Sequence, residues 1–195
     1  MDSRLEETKN FFDEKADTWD NESIYSPNLI KAVVEISGIP QNGRVIDIAC
    51  GTGVLFPFIL EKEPSELFGI DLSDKMLEKA AKKFPSPSVR LQSGDFMDIK
   101  EDCFDIAFVY RAYPHFPDKK AFAKKLHTIL KPNGRFVIAH TESRAAINQR
   151  HKKGAMHVSD ILLPIEEEAV YFNGLFDIDI KADTDNIYII SGKRK

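Results

Sequence analysis

Three acidic residues lie in or directly after apolar, strand-like runs of the sequence, where they could accept hydrogen bonds from a ligand. Asp47 interrupts the run VIDIAC, Asp71 lies near the end of ELFGIDL, and Asp95 follows VRLQSG. A carboxylate at the end of the second strand of an open α/β sheet can accept from both hydroxyls of a ribose. One placed after the third strand can accept from an exocyclic amine, such as that of adenine. The spacing therefore predicts a nucleoside site.

The turn after the first run, CGTG, contains Gly51 and Gly53. A strand that ends in glycines and continues as a helix usually brings bare backbone against a ligand. A dinucleotide site would require G-x-G-x-x-G, whereas Phe56 stands at the third glycine position here. No Lys followed by Ser or Thr comes after the turn, which excludes a P-loop. The turn therefore lacks the marks of a phosphate site.

The charge of Asp47 narrows the ligand further. A carboxylate inside the first strand is unfavourable beside a pyrophosphate and favourable beside a positive charge. The pattern thus indicates a ligand with a cationic end, a ribose and an adenine, but without phosphates. S-adenosylmethionine fits this description, and we predict it as the cofactor.

Five segments resemble, in order and spacing, the class I S-adenosylmethionine-dependent methyltransferases: VIDIACGTGVLF, FGIDLSDKML, QSGDFMDI, FDIAFVYRAYPHF and ILKPNGRFVIAH. They are most similar to the small-molecule branch that includes the ubiquinone/menaquinone methyltransferases. FFDEKADTWD also resembles the opening segment of that branch, which folds over the cofactor. The resemblance covers residues 11–192, roughly. Ala49 occupies the first glycine position of the acidic-x-Gly-x-Gly-x-Gly pattern, and we expect it to fit with a negative φ.

The resemblance implies a cofactor site built from the ends of the first four strands. Asp71 would bind the ribose, Leu72 and Met76 would pack on the adenine, and Asp95 and Phe96 would complete the adenine pocket. Met76 and Phe96 also have a plain alternative as core residues. The cofactor-binding set is Asp47, Ala49, Gly51, Gly53, Asp71, Leu72, Met76, Asp95, Phe96 and Tyr110.

The reaction needs little acid–base chemistry from the protein. Methyl transfer from a sulfonium is an in-line displacement with a neutral leaving group, so the protein mainly positions the nucleophile and excludes water. A general base is required only if the nucleophile loses a proton during attack. Tyr110 and His115 after the fourth strand, and His140 after the fifth, are the candidates. Each could instead be a wall residue that only forms hydrogen bonds.

The segment AHTESRAAINQRHKKGAMHVSDILLP contains three of the five histidines and lies where the acceptor should arrive. One hypothesis is a polar or anionic substrate held by Arg144 and His151. A second is a metal ion, although the spacing matches no known ligand pattern and we predict none. The third is a solvated helix. Trp19, Arg111 and His140 complete the predicted substrate-binding set.

Alternating strand and helix patterns predict the elements that position these residues. Five βα units precede two strands, Phe176–Ala182 and Asn186–Ser191, whose DTDN connection is too short for a crossover helix. We therefore predict an α/β fold with a doubly wound, seven-stranded, mainly parallel Rossmann-like sheet, an antiparallel C-terminal hairpin strand and N-terminal capping helices.

We predict a single methyltransferase domain over residues 1–195. Residues 1–40 would form a helical lid carrying Phe11, Phe12, Trp19 and Tyr25. Residues 41–140 would form the cofactor-binding core, and residues 141–195 the substrate-side helix region and closing hairpin.

Composition sets the remaining expectations. The chain is 43% hydrophobic and 30% charged, as in soluble globular proteins, and no apolar run approaches the length needed to cross a bilayer. The charged N-terminus lacks the apolar stretch of a signal peptide, which predicts a cytoplasmic location. A net charge of −4 and the lack of an appended basic module argue against nucleic acid. We expect a small-molecule substrate, no nucleic-acid or membrane partner, and a monomer or homodimer.

Two other functions stay open. A non-catalytic module could bind the cofactor with the same motifs, because binding and turnover need different residues. An NAD-binding oxidoreductase is disfavoured by Phe56.

Overall fold

The computed structural model describes residues 3–22 and 26–195; Tyr25 lies outside them. The strands are β1 (Arg44–Ile48), β2 (Glu66–Asp71), β3 (Val89–Ser93), β4 (Phe104–Tyr110), β5 (Leu130–His140), β6 (Phe176–Asp183) and β7 (Tyr188–Arg194). The α-helices are α1 (Ser3–Lys15), α2 (Trp19–Glu22), α3 (Pro27–Glu35), α4 (Phe56–Leu60), α5 (Asp74–Lys83), α6 (Lys119–Ile129), α7 (Arg144–Gly154) and α8 (Ile165–Ala169). None of the helices in the described part of the chain has the length and apolar character needed to span a bilayer.

The seven strands form one sheet in the order β3-β2-β1-β4-β5-β7-β6. All neighbouring pairs are parallel except those of β7, which runs antiparallel to both β5 and β6. The predicted α/β fold, with its mainly parallel sheet and reversed hairpin strand, is confirmed. The strand order reverses beside β1, so a crevice opens at the carboxyl ends of β1, β2 and β4, where open α/β sheets bind ligands.

Two apolar layers cover the sheet. Phe136 and Ile138 of β5 pack on one face with α6, α7 and α8, whereas Val137 and Ala139 pack on the other face with α3 and α4. Successive residues of a strand point to opposite faces. This alternation places His140, the last residue of β5, on the α7 face, where its ring packs against Tyr188.

The connection between β3 and β4 differs from the prediction of five βα units. It contains no α-helix; a single three-ten turn, Phe96–Asp98, follows β3. Asp95 caps this turn by accepting a hydrogen bond from the backbone N–H of Met97 at 2.9 Å. Phe96 and Ile99 are buried in the core. Because Phe96 and Ile99 pack into the core at this turn, the chain reaches β4 without an α-helix.

Ala49 also departs from expectation. Its φ is +55°, in the left-handed region, and not negative as predicted. The turn is held by backbone bonds, because the N–H of Cys50 donates to Ile70 O at 3.1 Å and that of Gly53 to Cys50 O at 3.0 Å. An L-residue with a side chain in this conformation costs roughly 1–2 kcal/mol. Ala49 therefore carries strain that the sheet imposes.

Substituting Ala49→Gly is expected to raise the free energy of unfolding by about 0.5–1 kcal/mol. Relief of the strain exceeds the entropy that glycine adds to the unfolded chain. Urea unfolding of the two proteins measures the difference. As the matched control, Ala107→Gly in β4 should destabilise, because Ala107 is fully buried in a central strand and has no positive φ to relieve. If Ala49→Gly instead lowers the free energy of unfolding, the conclusion that Ala49 is strained is wrong.

Candidate functional site

A cavity opens at the carboxyl ends of β1, β2 and β4, with about 1240 Å³ of empty space including its mouth. Most of the predicted cofactor-binding residues line it: Ala49, Gly51, Asp71, Leu72, Met76, Asp95, Phe96 and Tyr110. Trp19, Arg111 and His115 line the same cavity, and Leu5, Thr8 and Phe12 of α1 cover it. The cavity walls are largely aromatic and apolar, with a few convergent polar groups, as in small-molecule sites.

Asp71 ties the first two turns of the site together. Its Oδ2 accepts a hydrogen bond from the backbone N–H of Gly51 at 2.8 Å, and its Oδ1 accepts one from Ser73 at 2.9 Å. Burial raises the pKa of Asp71 to about 6, against the opposing effect of these N–H donors. The carboxylate is partly exposed to the cavity and retains acceptor capacity for a ligand.

Asp47 lies beneath this turn and does not line the cavity directly. It is 1% exposed, and neither carboxylate oxygen has a hydrogen-bond partner among the described residues. Burial, and then the nearby charge of Asp71, raise the pKa of Asp47 well above its usual value. Buried charged groups are normally paired. An orphaned buried carboxylate at this position is therefore suited to a cationic ligand.

The two glycines of the turn have different surroundings. Gly51 has a φ of +55° and open space where a Cβ would be, so bare backbone faces the cavity. Gly53 does not line the cavity; with a φ of +84°, its Cβ would come within 2.9 Å of the Phe56 ring and 3.0 Å of the Phe84 ring. Phe56 thus fills the space where a dinucleotide site keeps its third glycine.

The third turn supplies an acid and an aromatic layer. Burial raises the pKa of Asp95, which remains half-exposed and faces the cavity. Phe96 is buried and contacts the rings of Phe116 and Phe122, so it belongs both to the cavity wall and to the core. Met76 is likewise 1% exposed and lies at the cavity. Met76 and Phe96 are therefore buried core residues and also form part of the cavity wall.

The end of β4 forms the far wall of the cavity. The hydroxyls of Tyr110 and Thr141 share a hydrogen bond of 2.7 Å. Arg111 has a φ of +58°, pairs with Glu142, and donates its backbone N–H to Ala139 O at 2.8 Å. Non-glycine residues held with positive φ are concentrated at functional sites.

The substrate-side histidines extend behind this wall. His115 lines the cavity and its ring lies 5.5 Å from that of His151, whereas His140 is 1% exposed with both ring nitrogens unpartnered among the described residues. Burial lowers the pKa of His115 and of His151 to about 4, and that of His140 well below its usual value. All three rings are therefore neutral at pH 7.

Arg144 does not line the cavity. Its Nε donates to Asp183 of β6 at 2.7 Å, in an exposed ion pair at the start of α7. His151 is likewise not among the residues that line this cavity. Elsewhere on α7, Lys152 and Lys153 are exposed, as a solvated helix predicts. Within residues 3–22 and 26–195, no group of three or more His, Cys, Asp or Glu side chains is placed to hold a metal ion.

Sequence reasoning missed the polar bonds that hold the N-terminal helices over the site. Thr52 Oγ1 donates to Asp20 Oδ1 at 2.6 Å, and Ser73 Oγ donates to Asp13 Oδ1 at 2.5 Å. Asp20 also pairs with Lys83 of α5 at 2.9 Å. The acids of FFDEKADTWD were the available signal, since Asp13, Asp17 and Asp20 recur at helical spacing.

Comparisons with known proteins identify the region that builds this site. Residues 45–134 match the model of the family described as "Methyltransferase domain". This confirms the resemblance to the class I S-adenosylmethionine-dependent methyltransferases.

Relatives of the methyltransferase domain share about half of this chain. The ubiquinone/menaquinone biosynthesis C-methyltransferase of Geotalea daltonii is 33% identical over 115 residues, covering 55% of this chain and 48% of that protein. The chain spans less than half the length of the curated relatives it matches first.

Solved methyltransferase structures are similar to nearly the whole chain, beyond the residues that the family model matches. One is a methyltransferase in complex with the Trm112 activator of Haloferax volcanii, with a TM-score of 0.79, 16% identity, and coverage of 94% of this chain and 97% of that chain. Another is magnesium protoporphyrin IX methyltransferase from Synechocystis with bound S-adenosylhomocysteine, with a TM-score of 0.74, 15% identity, and coverage of 99% and 100%. At these identities the likeness establishes the fold.

Proposed function

We propose that this chain binds S-adenosylmethionine in the cavity and transfers its methyl group to a small-molecule acceptor. The observation that carries the proposal is the buried carboxylate of Asp47, which has no partner in the described part of the chain. It lies close enough to Asp71 for the two charges to influence each other. A cationic adenosine in the cavity would be attracted by both acids, whereas a pyrophosphate would be repelled by them.

Each part of the site has a role toward that cofactor. Asp71 would accept from the ribose hydroxyls, Asp95 would accept from the adenine amine, and Met76 and Phe96 would flank the purine. Asp47, with Ala49, Gly51 and Gly53 around it, would complement the charged methionine end. When bound, the cofactor supplies an electrophilic methyl group on a sulfonium that departs as a neutral thioether.

The remaining residues would position the acceptor and exclude water. Tyr110 and Arg111 form the wall at the end of β4, where the acceptor is expected. Phe12 and Trp19, whose rings are 5.6 Å apart, cover the cavity from the N-terminal helices. The proposal of a small-molecule acceptor is supported by relatives whose names specify quinone, sterol and tocopherol methyltransferases.

We also propose that the domain is divided into an N-terminal lid, a cofactor-binding core and a substrate-side region. The protein is proposed to form an assembly no larger than a homodimer.

Calorimetric titration with S-adenosylhomocysteine, S-adenosylmethionine and NADH tests the cofactor. We expect binding of the first two and none of NADH; saturable NADH binding without S-adenosylhomocysteine binding would overturn the proposal in favour of an oxidoreductase.

Incubation with methyl-labelled cofactor and a deproteinised metabolite extract tests turnover. A new labelled product is expected, whereas cofactor binding without any product would indicate a non-catalytic module.

Cofactor binding is expected to protect the N-terminal helices from trypsin. Asp20 and Asp13 join these helices to Thr52 and Ser73, next to the cofactor-binding residues. S-adenosylhomocysteine at ten times its Kd should therefore slow cleavage at Lys15 about tenfold if it binds only the closed form. Cleavage at the exposed Lys100 is the internal control. Asp20→Asn should speed cleavage at Lys15; rates unaffected by saturating cofactor would contradict a lid.

A further inference from the structure

The ring of His115 has a defined position in the wall of the cavity, just after β4. It lies in the three-ten turn Tyr113–His115 that follows β4. The ring of Phe12 packs against it in a perpendicular arrangement, with ring centroids 5.0 Å apart and planes at 87°. The ring remains partly exposed and lines the cavity. His115 therefore lies in the cavity wall beyond the end of β4, where the proposed function expects the acceptor.

A backbone carbonyl determines which nitrogen of His115 carries the hydrogen. Nδ1 lies 2.9 Å from Val158 O, and a carbonyl can only accept. Nδ1 must therefore carry the hydrogen, and in the neutral ring Nε2 carries a lone pair. The carbonyl is itself held in place, because the N–H of Asp160, two residues later, donates to Pro114 O at 2.8 Å. The three-ten turn Tyr113–His115 and the segment after α7 are thus held together by two hydrogen bonds.

The surfaces around this lone pair suit a flat, apolar molecule. Phe12 and Trp19 contact each other edge to face above the cavity. Phe116 and Phe122 also line the cavity, and their rings pack with centroids 4.5 Å apart and planes tilted by 41°. Aromatic side chains bind aromatic rings through stacked or edge-to-face contacts. An aromatic ring with one hydrogen-bond donor fits these walls and the Nε2 acceptor together.

We propose that the acceptor is a hydroxylated aromatic compound whose hydroxyl donates to His115 Nε2, and that this nitrogen takes the proton during methyl transfer. The proposal rests on the proposed function and specifies its acceptor. The hydroxyl oxygen forms the new bond to the methyl carbon while the carbon–sulfur bond breaks, its electron pair leaving on the neutral sulfur. The oxygen–hydrogen bond breaks toward oxygen, and the proton moves to Nε2.

The low basicity of His115 agrees with oxygen as the attacking atom. An oxygen that has gained a methyl group while keeping its proton is a very strong acid, so even a weak imidazole base removes that proton. A neutral amine, by contrast, attacks with its nitrogen lone pair and needs no base during the transfer. A base at the acceptor therefore matters for a hydroxyl rather than for an amine, and a weak base such as His115, whose pKa burial lowers to about 4, is sufficient for that role.

Nitrogen NMR of uniformly labelled protein tests the geometry without any turnover. We expect the His115 signals of a neutral ring protonated on Nδ1 at pH 7, in the complex with S-adenosylhomocysteine. Adding catechol should shift the Nε2 resonance, while 1,2-dimethoxybenzene, which has no hydroxyl hydrogen, should not. A ring protonated on Nε2, or equal shifts with both compounds, would overturn the proposal.

His115→Asn tests the chemical role, because an asparagine amide can still donate to Val158 O but has no Nε2 base. We expect kcat toward catechol to fall about 100-fold, as is typical for loss of a general base, with the Kd of S-adenosylhomocysteine unchanged within twofold. His127→Asn is the matched control; His127 lies on α6 and packs on Phe176, away from the cavity. An unchanged kcat in His115→Asn would refute the assignment.

A panel of catechol, hydroquinone, 1,2-diaminobenzene and 1,2-dimethoxybenzene with methyl-labelled cofactor separates the acceptor classes. We expect labelled product only from the two hydroxylated compounds. Product from the diamine alone, or no product from either hydroxylated compound while S-adenosylhomocysteine binds, would overturn the acceptor class and leave the cofactor site intact. Absence of S-adenosylhomocysteine binding would instead refute the proposed function.

Discussion

Asp71→Asn is expected to weaken the binding of S-adenosylhomocysteine about 100-fold. The asparagine keeps one oxygen but replaces the other with an amide that cannot accept from a ribose hydroxyl, and a hydrogen bond to a charged group contributes about 1.5–3 kcal/mol. The same substitution presents either Gly51 N–H or Ser73 N–H with a donor in place of an acceptor. Loss of ligand bonding and disturbance of the turn act in the same direction.

Calorimetry of the Asp71→Asn protein measures this loss. Asp98→Asn is the matched control, since Asp98 is exposed in the turn after β3 and does not line the cavity. Binding of 5′-methylthioadenosine, which keeps the ribose but lacks the charged tail, should weaken equally. An Asp71→Asn protein that is folded and binds both ligands within threefold of the wild type would refute the ribose role.

The raised pKa of Asp71 makes the same interaction dependent on pH. Because its pKa in the folded protein is about 6, above the ordinary 3.8, the protonated acid stabilises the fold below pH 3.8 and that stabilisation is lost as the pH rises through 6. A cationic ligand favours the carboxylate instead. Affinity for the cofactor is therefore expected to fall as the pH drops below about 6, with protons released on binding between pH 4 and 6.

Asp47→Asn is expected to stabilise the ligand-free protein while weakening S-adenosylmethionine binding by about 10–100-fold. Burying an unpaired carboxyl that must take up a proton destabilises the fold, so its removal should raise the free energy of unfolding at pH 7 by about 1–3 kcal/mol. The bound cofactor, by contrast, loses an opposite charge in a dry environment. Stability and binding should therefore change in opposite directions.

The pH dependence of the Asp47→Asn effect is itself diagnostic. The pKa of Asp47 is raised in the folded state, so its contribution to stability is present below the ordinary 3.8 and declines as the pH rises above it. The stabilisation by Asp47→Asn should accordingly be small at pH 4 and large at pH 7. Urea unfolding at the two pH values measures it, with Asp185→Asn in the exposed hairpin turn as control.

The choice of ligand distinguishes the two acids. Asp47→Asn should leave 5′-methylthioadenosine binding within twofold, because that ligand has no charged methionine end, whereas Asp71→Asn should weaken it. Equal losses for both ligands in Asp47→Asn would place Asp47 in a purely structural role.

The local pattern of the chain was sufficient for the strands and the acids at their ends. Runs such as FDIAFVY are apolar because a central parallel strand is buried on both faces, so they are visible without tertiary information. Asp71 and Asp95 were found because side chains at strand ends must meet at one edge of a parallel sheet. The presence of Phe56 at the third glycine position likewise argued against a dinucleotide site from the sequence alone.

Tertiary structure decided what depends on distant parts of the chain. The positive φ of Ala49 occurs where the next residue, Cys50, donates a backbone hydrogen bond to β2. Arg144 pairs with Asp183, which follows it by 39 residues, and does not line the cavity. His115 obtains its tautomer from a backbone carbonyl 43 residues away, a group that every residue has and that no side-chain pattern can reveal. Periodicity reports which face of an element is buried, because burial is a property of local spacing. Which partner a polar atom meets depends on how the elements dock, and this is settled only when the whole chain packs.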